Sequence, residues 1–216
     1  MAFDIHQLDG LEYDEGEAFF ETYQETLVGL FLEAREGQPF VEAYSDAGFW
    51  SSQLIFYGYG YMGVSIPEMK LRDVEEIMTD LMPRKISILS AEDAKGAVPE
   101  LIAFWQFLLR EYNLPQAHRI IRYLEKIKSH FPSMMMDSGR FGMAKSFFMA
   151  GQEAGFDMSS QEGMDSFMHT YNDHLAKPIE PEIVELPARH KDKTRTARKR
   201  KRKLVRSAHR RNKKRK

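Results

Sequence analysis

The chain has 216 residues, no cysteine, and a formal net charge of −1 from 31 Lys and Arg against 32 Asp and Glu. The absence of cysteine excludes disulfides and thiolate metal sites, which fits a reducing compartment. We expect a cytoplasmic protein, or a nuclear one if the host has a nucleus. A hydrophobic content of 43% predicts a packed core, and no apolar run approaches the roughly 18 residues of a membrane helix.

Helical periodicity begins near residue 15, after an N-terminal segment of residues 1–13 that we expect to be loosely ordered. Apolar residues then recur at spacings of three and four, which predicts an amphipathic helix over residues 15–35. Pro39 suits the first turn of a short second helix. For residues 50–63 the pattern fits either a buried helix or an extended aromatic segment.

The middle of the chain alternates helical patterns with breaks. Residues 71–82 carry an apolar stripe with acidic residues early, which predicts a helix that Pro83 ends. Ser90 and Asp93 have the spacing of a capping box, so they predict the start of the next helix.

Four further helical patterns follow, over residues 98–112, 115–130, 139–155 and 159–175. Ser159 and Glu162 have capping-box spacing at the start of the last of them. The sequence therefore predicts an all-α domain over residues 1–176, a compact bundle of about seven or eight helices.

Charge and proline content change after this domain. Residues 177–189 contain three prolines and predict an extended linker. Residues 190–216, the basic tail, contain 16 Lys and Arg and one acid, whereas residues 1–190 hold 15 basic and 31 acidic residues. A net charge of −16 in the body and +15 from Lys191 onward is typical of a protein with an interaction tail.

The basic tail predicts binding to a polyanion, since each neutralised phosphate releases condensed counterions. We expect phosphate contacts from Arg198, Lys199, Arg200, Lys201, Arg202, Lys203, Arg206, Arg210, Arg211, Lys213, Lys214, Arg215 and Lys216. The tail has no aromatic residue to stack on bases, so we expect little sequence reading. Repulsion between its charges predicts a tail that is disordered in water. Its Arg, Lys, Leu and Ala residues are good helix formers, so the tail could become helical on a polyanion.

Two other interpretations of the basic tail remain open. A basic run also serves as a nuclear-localisation address. Alternatively, the tail pairs with its own acidic body or with an acidic partner, and the chain is then a protein-interaction module.

The body offers one basic helix face. Arg119, Arg122 and Lys126 lie at spacings of three and four, on one side of the helix predicted over residues 115–130. Either this face is only the solvated outer side of the helix, or it is a local phosphate-binding surface on a body whose net negative charge otherwise repels phosphate.

Two patterns resemble ligand sites. Gly58, Gly60 and Gly63 match the dinucleotide spacing G-x-G-x-x-G, but Pro67 would interrupt the helix that this fingerprint requires. These glycines therefore favour close backbone packing. Asp165, His169 and Asp173 share a helix face that could hold a metal, but the sequence has no E-x-x-H pair, so we favour a solvated polar face.

Three stretches carry a family resemblance: YGYGYMGVSIPEMKLRDVEEIMTDLMPRKISIL, PELIAFWQFLLREYNLP and FGMAKSFFMAGQEAGFDM. With the tail they are similar to an uncharacterised bacterial family of all-helical proteins that often end in a Lys/Arg-rich segment. The resemblance implies a helical fold and no reaction. The arrangement around PRK and FWQFLLREYNL also resembles the helical core-binding domain of tyrosine recombinases, whose catalytic domain has no counterpart here.

The sequence thus predicts a non-enzymatic accessory or regulatory protein, with no catalytic residue, no metal ligand and no cofactor. Its helical body would bind a protein partner, and its basic tail would tether it to DNA, RNA or a ribonucleoprotein without sequence specificity. No pattern bears on the oligomeric state.

Overall fold

The structure is a computed structural model that describes residues 3–11 and 13–176, with side chains up to residue 172. These residues form helices, turns and irregular segments without a strand, so the all-α prediction is confirmed for this part of the chain. One compact unit ends at Thr170, and the description concerns that unit. Of the unit that follows, the structure describes residues 171–176, which are helical.

The α-helices follow one another along the chain with short connections. They are α1 (Tyr13–Glu33), α2 (Gln38–Ala43), α3 (Phe49–Phe56), α4 (Leu71–Glu76), α5 (Met82–Lys85), α6 (Ala97–Tyr112), α7 (Ala117–Ile127), α8 (Phe131–Met135), α9 (Met143–Glu153) and α10 (Gln161–Ala176). A π-helical turn, Tyr57–Tyr61, extends α3, and a second, Ile77–Leu81, joins α4 to α5. The described residues therefore contain nine continuous runs of α- and π-helix, against seven or eight predicted.

Helix α6 forms the centre of the core. Ten of its residues are buried, including the fully enclosed Trp105, because its sequence is apolar on nearly every side. Phe31 of α1 packs against Phe104 and Phe107, with ring centroids 5.3 and 6.0 Å apart. Helices α3 and α7 contact α6 as well.

The amphipathic α1 is confirmed, but the segment before it was predicted wrongly. Ile5 and Leu8 are buried in the core, and the hydroxyl of Tyr23 donates to the carbonyl of Ile5 at 2.9 Å. Residues 3–11 are therefore packed against the body. Two apolar residues in a short polar segment make too weak a periodic signal to show this from sequence.

Residues 50–62 are helical and Gly63, at φ 61°, follows the end of the run, which decides between the two predicted alternatives in favour of the buried helix. At Gly58, a Cβ atom would lie 2.3 Å from the Cε atom of Met69 and 3.2 Å from the carbonyl oxygen of Val64. This close approach confirms the packing role predicted for the glycine.

For two glycines of α1, substitution by alanine is expected to change the free energy of unfolding in opposite directions. A Cβ at Gly16 would lie 1.9 Å from the hydroxyl oxygen of Tyr59, whose buried ring stacks on Phe20 at 5.2 Å and cannot yield easily. A Cβ at Gly29 meets nothing within 4 Å. We expect Gly29→Ala to raise the free energy of unfolding by up to about 1 kcal/mol through helix propensity. Gly16→Ala should lower it by about 1–2 kcal/mol, because overpacking outweighs propensity.

Urea unfolding followed by circular dichroism measures both changes. The Gly29→Ala protein is the matched control, since it adds the same methyl group to the same helix. Equal stabilisation by both substitutions would contradict the packing of Tyr59 over α1.

Pro83 does not end the helix, contrary to the prediction. The helical run continues through the π-helical turn into α5 and ends at Lys85. Proline lacks the N–H that would bond the carbonyl four residues earlier, which belongs to Thr79. Arg140 donates from Nη1 to that carbonyl oxygen at 2.8 Å, so a side chain supplies a donor there.

The predicted caps are right in one case and displaced in another. Ser90 and Asp93 form the expected capping box, at the start of the 3-10 turn Ala91–Ala94. For α10 the capping residue is Ser160 instead of Ser159, since the Ser160 hydroxyl accepts a bond from the N–H of Gly163 at 3.1 Å. Ser159 bonds the carboxylate of Asp157.

Candidate nucleic-acid interface

Helix α7 exposes a row of cations on the side opposite the core. Ala117, Ile120 and Leu124 bury the inner face of α7. Three exposed residues at spacings of three and four form the basic stripe: Arg119, Arg122 and Lys126. His118 and Lys128, at the two ends of the helix, are exposed too.

The basic stripe is free of ion pairs within the part of the chain that the structure describes. Among the described residues, no carboxylate lies within ion-pair distance of its three cations, although Glu125 is exposed on the same helix. Arg122 donates from Nε to the carbonyl of His118 at 3.3 Å, which holds its side chain along the helix. These charges are therefore available to an anion from outside.

The dimensions of the basic stripe suit a nucleic-acid strand. Arg119 and Lys126 are seven residues apart, which at 1.5 Å per residue is about 10 Å along the helix. Phosphates of one strand recur every 3.4 Å or so along a duplex axis, so the stripe spans about three of them. It can contact phosphates, but it presents no aromatic ring to stack on bases.

The other charges of the body are mostly negative. Residues 3–11 and 13–176 hold 27 Asp and Glu and 13 Lys and Arg, a net of −14. Four of those 13 cations lie between Arg119 and Lys128, beside a single acid. The first 34 residues of the chain, by contrast, contain no Lys or Arg. The stripe is thus a local positive surface on an anionic body.

On one side, the basic stripe is bordered by an aromatic residue, Tyr123, and by an acidic residue, Glu75. Tyr123 is half buried between the stripe and the core, and α4 packs beside α7. Burial, and secondarily the charge of Glu75, raises the pKa of the Tyr123 hydroxyl to about 12. The stripe is therefore narrow, since Glu75 limits it on the side of α4.

The thirteen predicted phosphate contacts of the basic tail, Arg198 to Lys216, lie outside the described residues, as does the predicted linker 177–189. The structure therefore does not test them. The exposed cations that it does place together are those of the basic stripe on α7.

The two ligand-like patterns occupy different settings. Gly58 and Gly60 lie in the π-helical turn after α3, and among the described residues no strand precedes them as a dinucleotide fingerprint requires. Asp165 and His169 are exposed on α10, and the side chain of Asp173 is outside the described part. Within that part, no three His, Asp or Glu side chains lie close enough to hold a metal ion.

A buried carboxylate, Glu100, which the sequence analysis did not single out, caps α3. Glu100 is 3% exposed. Its Oε1 accepts from the N–H and the hydroxyl of Ser51, both at 2.8 Å, and its Oε2 accepts from the N–H of Gly48 at 3.1 Å. Desolvation raises the pKa of this carboxyl group, and the donors from Ser51 and Gly48 partly oppose that shift. Its role is to satisfy the first N–H groups of α3.

Lys145 is a second buried charge that the sequence analysis missed. This side chain is 2% exposed, and its Nζ donates to the carbonyl oxygens of Met135 at 2.7 Å and Pro83 at 3.0 Å. The ring of Phe141 lies 4.2 Å from Nζ. Burial lowers the pKa of the Lys145 ammonium group to about 8.

A common signal marks both buried charges. Glu100 and Lys145 are single charged residues inside the apolar stretches PELIAFW and GMAKSFFMA. A lone charge on a helix face that must be buried has to find polar partners, so it identifies a cap or a cross-link between helices. Their contacts are to backbone groups and Ser51, which assigns both to structure.

No helix in the described part of the chain combines the length and the apolar composition that a membrane span requires. No family model, no curated protein and no solved structure matches the chain. The two family resemblances therefore stay predictions.

Proposed function

We propose that this chain is a non-enzymatic accessory protein of the cytoplasm, tethered to nucleic acid by its basic tail without sequence specificity. The segregation of charge carries the proposal: 16 Lys and Arg against one acid from Lys191 onward, after a body of net −16. Such a segment gains affinity from counterion release at any phosphate backbone, whether DNA, RNA or ribonucleoprotein.

The basic stripe supports the proposal from the side of the body. Without it, an anionic body would be repelled from the strand that the tail holds. With the stripe, the body can be oriented so that α7 faces the phosphates, and the acidic α1 does not have to face them. The tail would then supply most of the affinity, and α7 would set how the body lies on the strand.

Salt dependence tests the tether. We expect the full chain to bind a 30-base-pair duplex of mixed sequence at 50 mM salt, with log K falling steeply against log salt. Six to ten phosphate contacts predict a slope of roughly −5 to −9 by fluorescence anisotropy. Duplexes of different sequence should bind within about threefold of one another. A shallow slope, or no binding at 50 mM salt, would refute the proposal.

Charge removal on α7 tests the basic stripe. The triple variant Arg119→Gln, Arg122→Gln, Lys126→Gln should reduce the magnitude of the salt slope by about 2–3, roughly one per lost phosphate contact. Its affinity at 100 mM salt should fall about tenfold.

A matched control removes three exposed cations elsewhere: Arg35→Gln, Arg72→Gln, Lys95→Gln. These residues pair with Glu36, Asp73 and Glu92, and the control alters net charge by the same amount. An equal effect of both triples would show that net charge alone matters and that α7 has no particular contact with the strand.

A further inference from the structure

A shallow groove lies at the N-terminal end of α3, beside the extended link that follows α5. Its volume is about 250 Å³. Trp50, which is 5% exposed, lines it together with Phe49 and Leu89, which are 37% and 68% exposed. We call it the link groove. Small-molecule sites usually measure about 300–1,000 Å³, so this one suits one or two side chains better than a cofactor.

The link itself offers free backbone groups. Ser87 and Ile88 line the groove and are neither helical nor paired in a sheet. Their N–H groups have no hydrogen-bond partner among the residues that the structure describes, whereas Ile86 and Leu89 on either side donate to Met82 and Asp93. An extended backbone with free donors and acceptors is what a peptide uses when it adds as a strand.

The rim of the link groove is acidic. Asp46 and Asp93 line it, and neither carboxylate has a cation within ion-pair distance in the described part. Asp46 also contributes to raising the pKa of Glu100, after the larger effect of burial, so it adds to a negative local potential. This rim repels phosphate and attracts Lys or Arg.

From the cavity, the free backbone and the acidic rim together, we infer that the link groove binds an extended cationic peptide segment of a partner protein. Its central apolar side chain covers Trp50 between Phe49 and Leu89. Basic side chains two residues before and two residues after it lie at Asp46 and Asp93, because alternate residues of a strand share a face. The inference concerns the body and does not depend on nucleic-acid binding by the tail.

A synthetic peptide tests the inference on the full chain. The probe is the fluorescein-labelled, amidated heptapeptide Thr-Lys-Thr-Leu-Thr-Arg-Thr, with Lys, Leu and Arg on one strand face. We expect saturable binding by anisotropy, together with a change in Trp50 fluorescence that Trp50→Phe removes. Leu89→Ser should raise the Kd about tenfold, and Asp46→Asn about threefold.

Matched controls separate this site from general attraction to an acidic body. Met143→Ser removes another exposed apolar side chain, and Glu21→Gln another exposed acid; both should leave the Kd unchanged. A probe with Ser in place of Leu, and one methylated at the Leu nitrogen, should each bind at least fivefold more weakly.

Three results would overturn the inference. The first is absence of binding at 1 mM probe, and the second is equal binding of the Ser-substituted probe, which would indicate charge attraction alone. The third is a chain that self-associates but does not bind the probe, with self-association abolished by Leu89→Ser. That result would mean that the groove binds a second copy of the chain.

Discussion

Deletion of residues 190–216 is expected to lower the affinity for a mixed-sequence duplex by at least about 1,000-fold at 50 mM salt. The deleted segment holds 16 of the 31 Lys and Arg and all of the predicted tail contacts. Loss of six to ten phosphate contacts removes most of the counterion-release contribution, which is largest at low salt. The remaining body carries a net charge of about −16, so the three cations of the basic stripe cannot hold a strand by themselves.

Two further chains make this experiment specific. A tail of scrambled order but identical composition should bind as tightly as the natural one, because phosphate contacts need charge and little sequence. A tail with eight Lys and Arg replaced by Gln should lose most of the affinity. If the scrambled tail failed to bind, the tail would be recognising a defined structure, and the tether without specificity would be wrong.

Thermal stability distinguishes the tether from its alternative. Within the described residues, the hydrophobic core cluster is formed by residues up to Met135, and Phe167 is the last buried apolar residue, so a tether can be removed with little change in melting temperature. If the tail instead pairs with the acidic body, its deletion should lower the melting temperature at low salt and have little effect at high salt, where charges are screened.

The helices were predictable wherever an apolar stripe was long enough. Helices α1, α6 and α7 are each 11 or more residues and lie within a few residues of their predicted limits. Their burial follows the stripe, except that Phe19 of α1, an apolar residue next to the buried Phe20, is 51% exposed. Periodicity identifies the centre of a buried helix face well and its edge poorly. Consecutive helix residues are about 100° apart around the axis, so a residue next to a core residue can lie on the buried or on the exposed face.

Long-range contacts account for two of the errors. Pro83 stands inside a helical run where Arg140, 57 residues later, donates to the carbonyl of Thr79. Ile5 and Leu8 are buried because they pack against core residues that are distant in sequence, and no local pattern predicts such packing. Such contacts between distant residues override local preference and cannot be derived from one sequence.

The candidate interface was half predictable. The spacing of Arg119, Arg122 and Lys126 placed them on one helix face from sequence. Their exposure, and the absence of an ion pair to any described carboxylate, depend on how the surrounding helices pack. The link groove was not predictable, because it joins Phe49 of α3 to Leu89 of the link, 40 residues apart in sequence. Only packing creates that kind of site.

Lys145 links three parts of the structure through its ammonium group. From α9 it donates to Pro83 in α5 and to Met135 in α8, so it joins the three helices in the interior. Both partners are neutral carbonyls, and no carboxylate within the described residues lies at ion-pair distance from it. The neutral amine still has two N–H groups for the two carbonyls. Deprotonation therefore relieves the burial of charge while both hydrogen bonds persist.

We expect the wild-type protein to become more stable, relative to Lys145→Met, as the pH rises from 7 to 10. In the folded state the pKa of Lys145 is about 8, below the value of 10.5 for an ordinary lysine, so the unfolded chain binds more protons throughout this range. Stability must then increase with pH. A shift of that size corresponds to about 2.5 kcal/mol between pH 7 and pH 10.

Urea unfolding at pH 7, 8, 9 and 10 measures this difference, and taking the difference cancels the titration of groups common to both proteins. Lys126→Met, which removes a lysine from the exposed basic stripe, controls for the loss of one charge. A wild-type curve parallel to that of Lys145→Met would mean that Lys145 is not desolvated in the folded protein. Because its carbonyl partners hold α9 against α5 and α8, such a result would also contradict the packing of α9 described above.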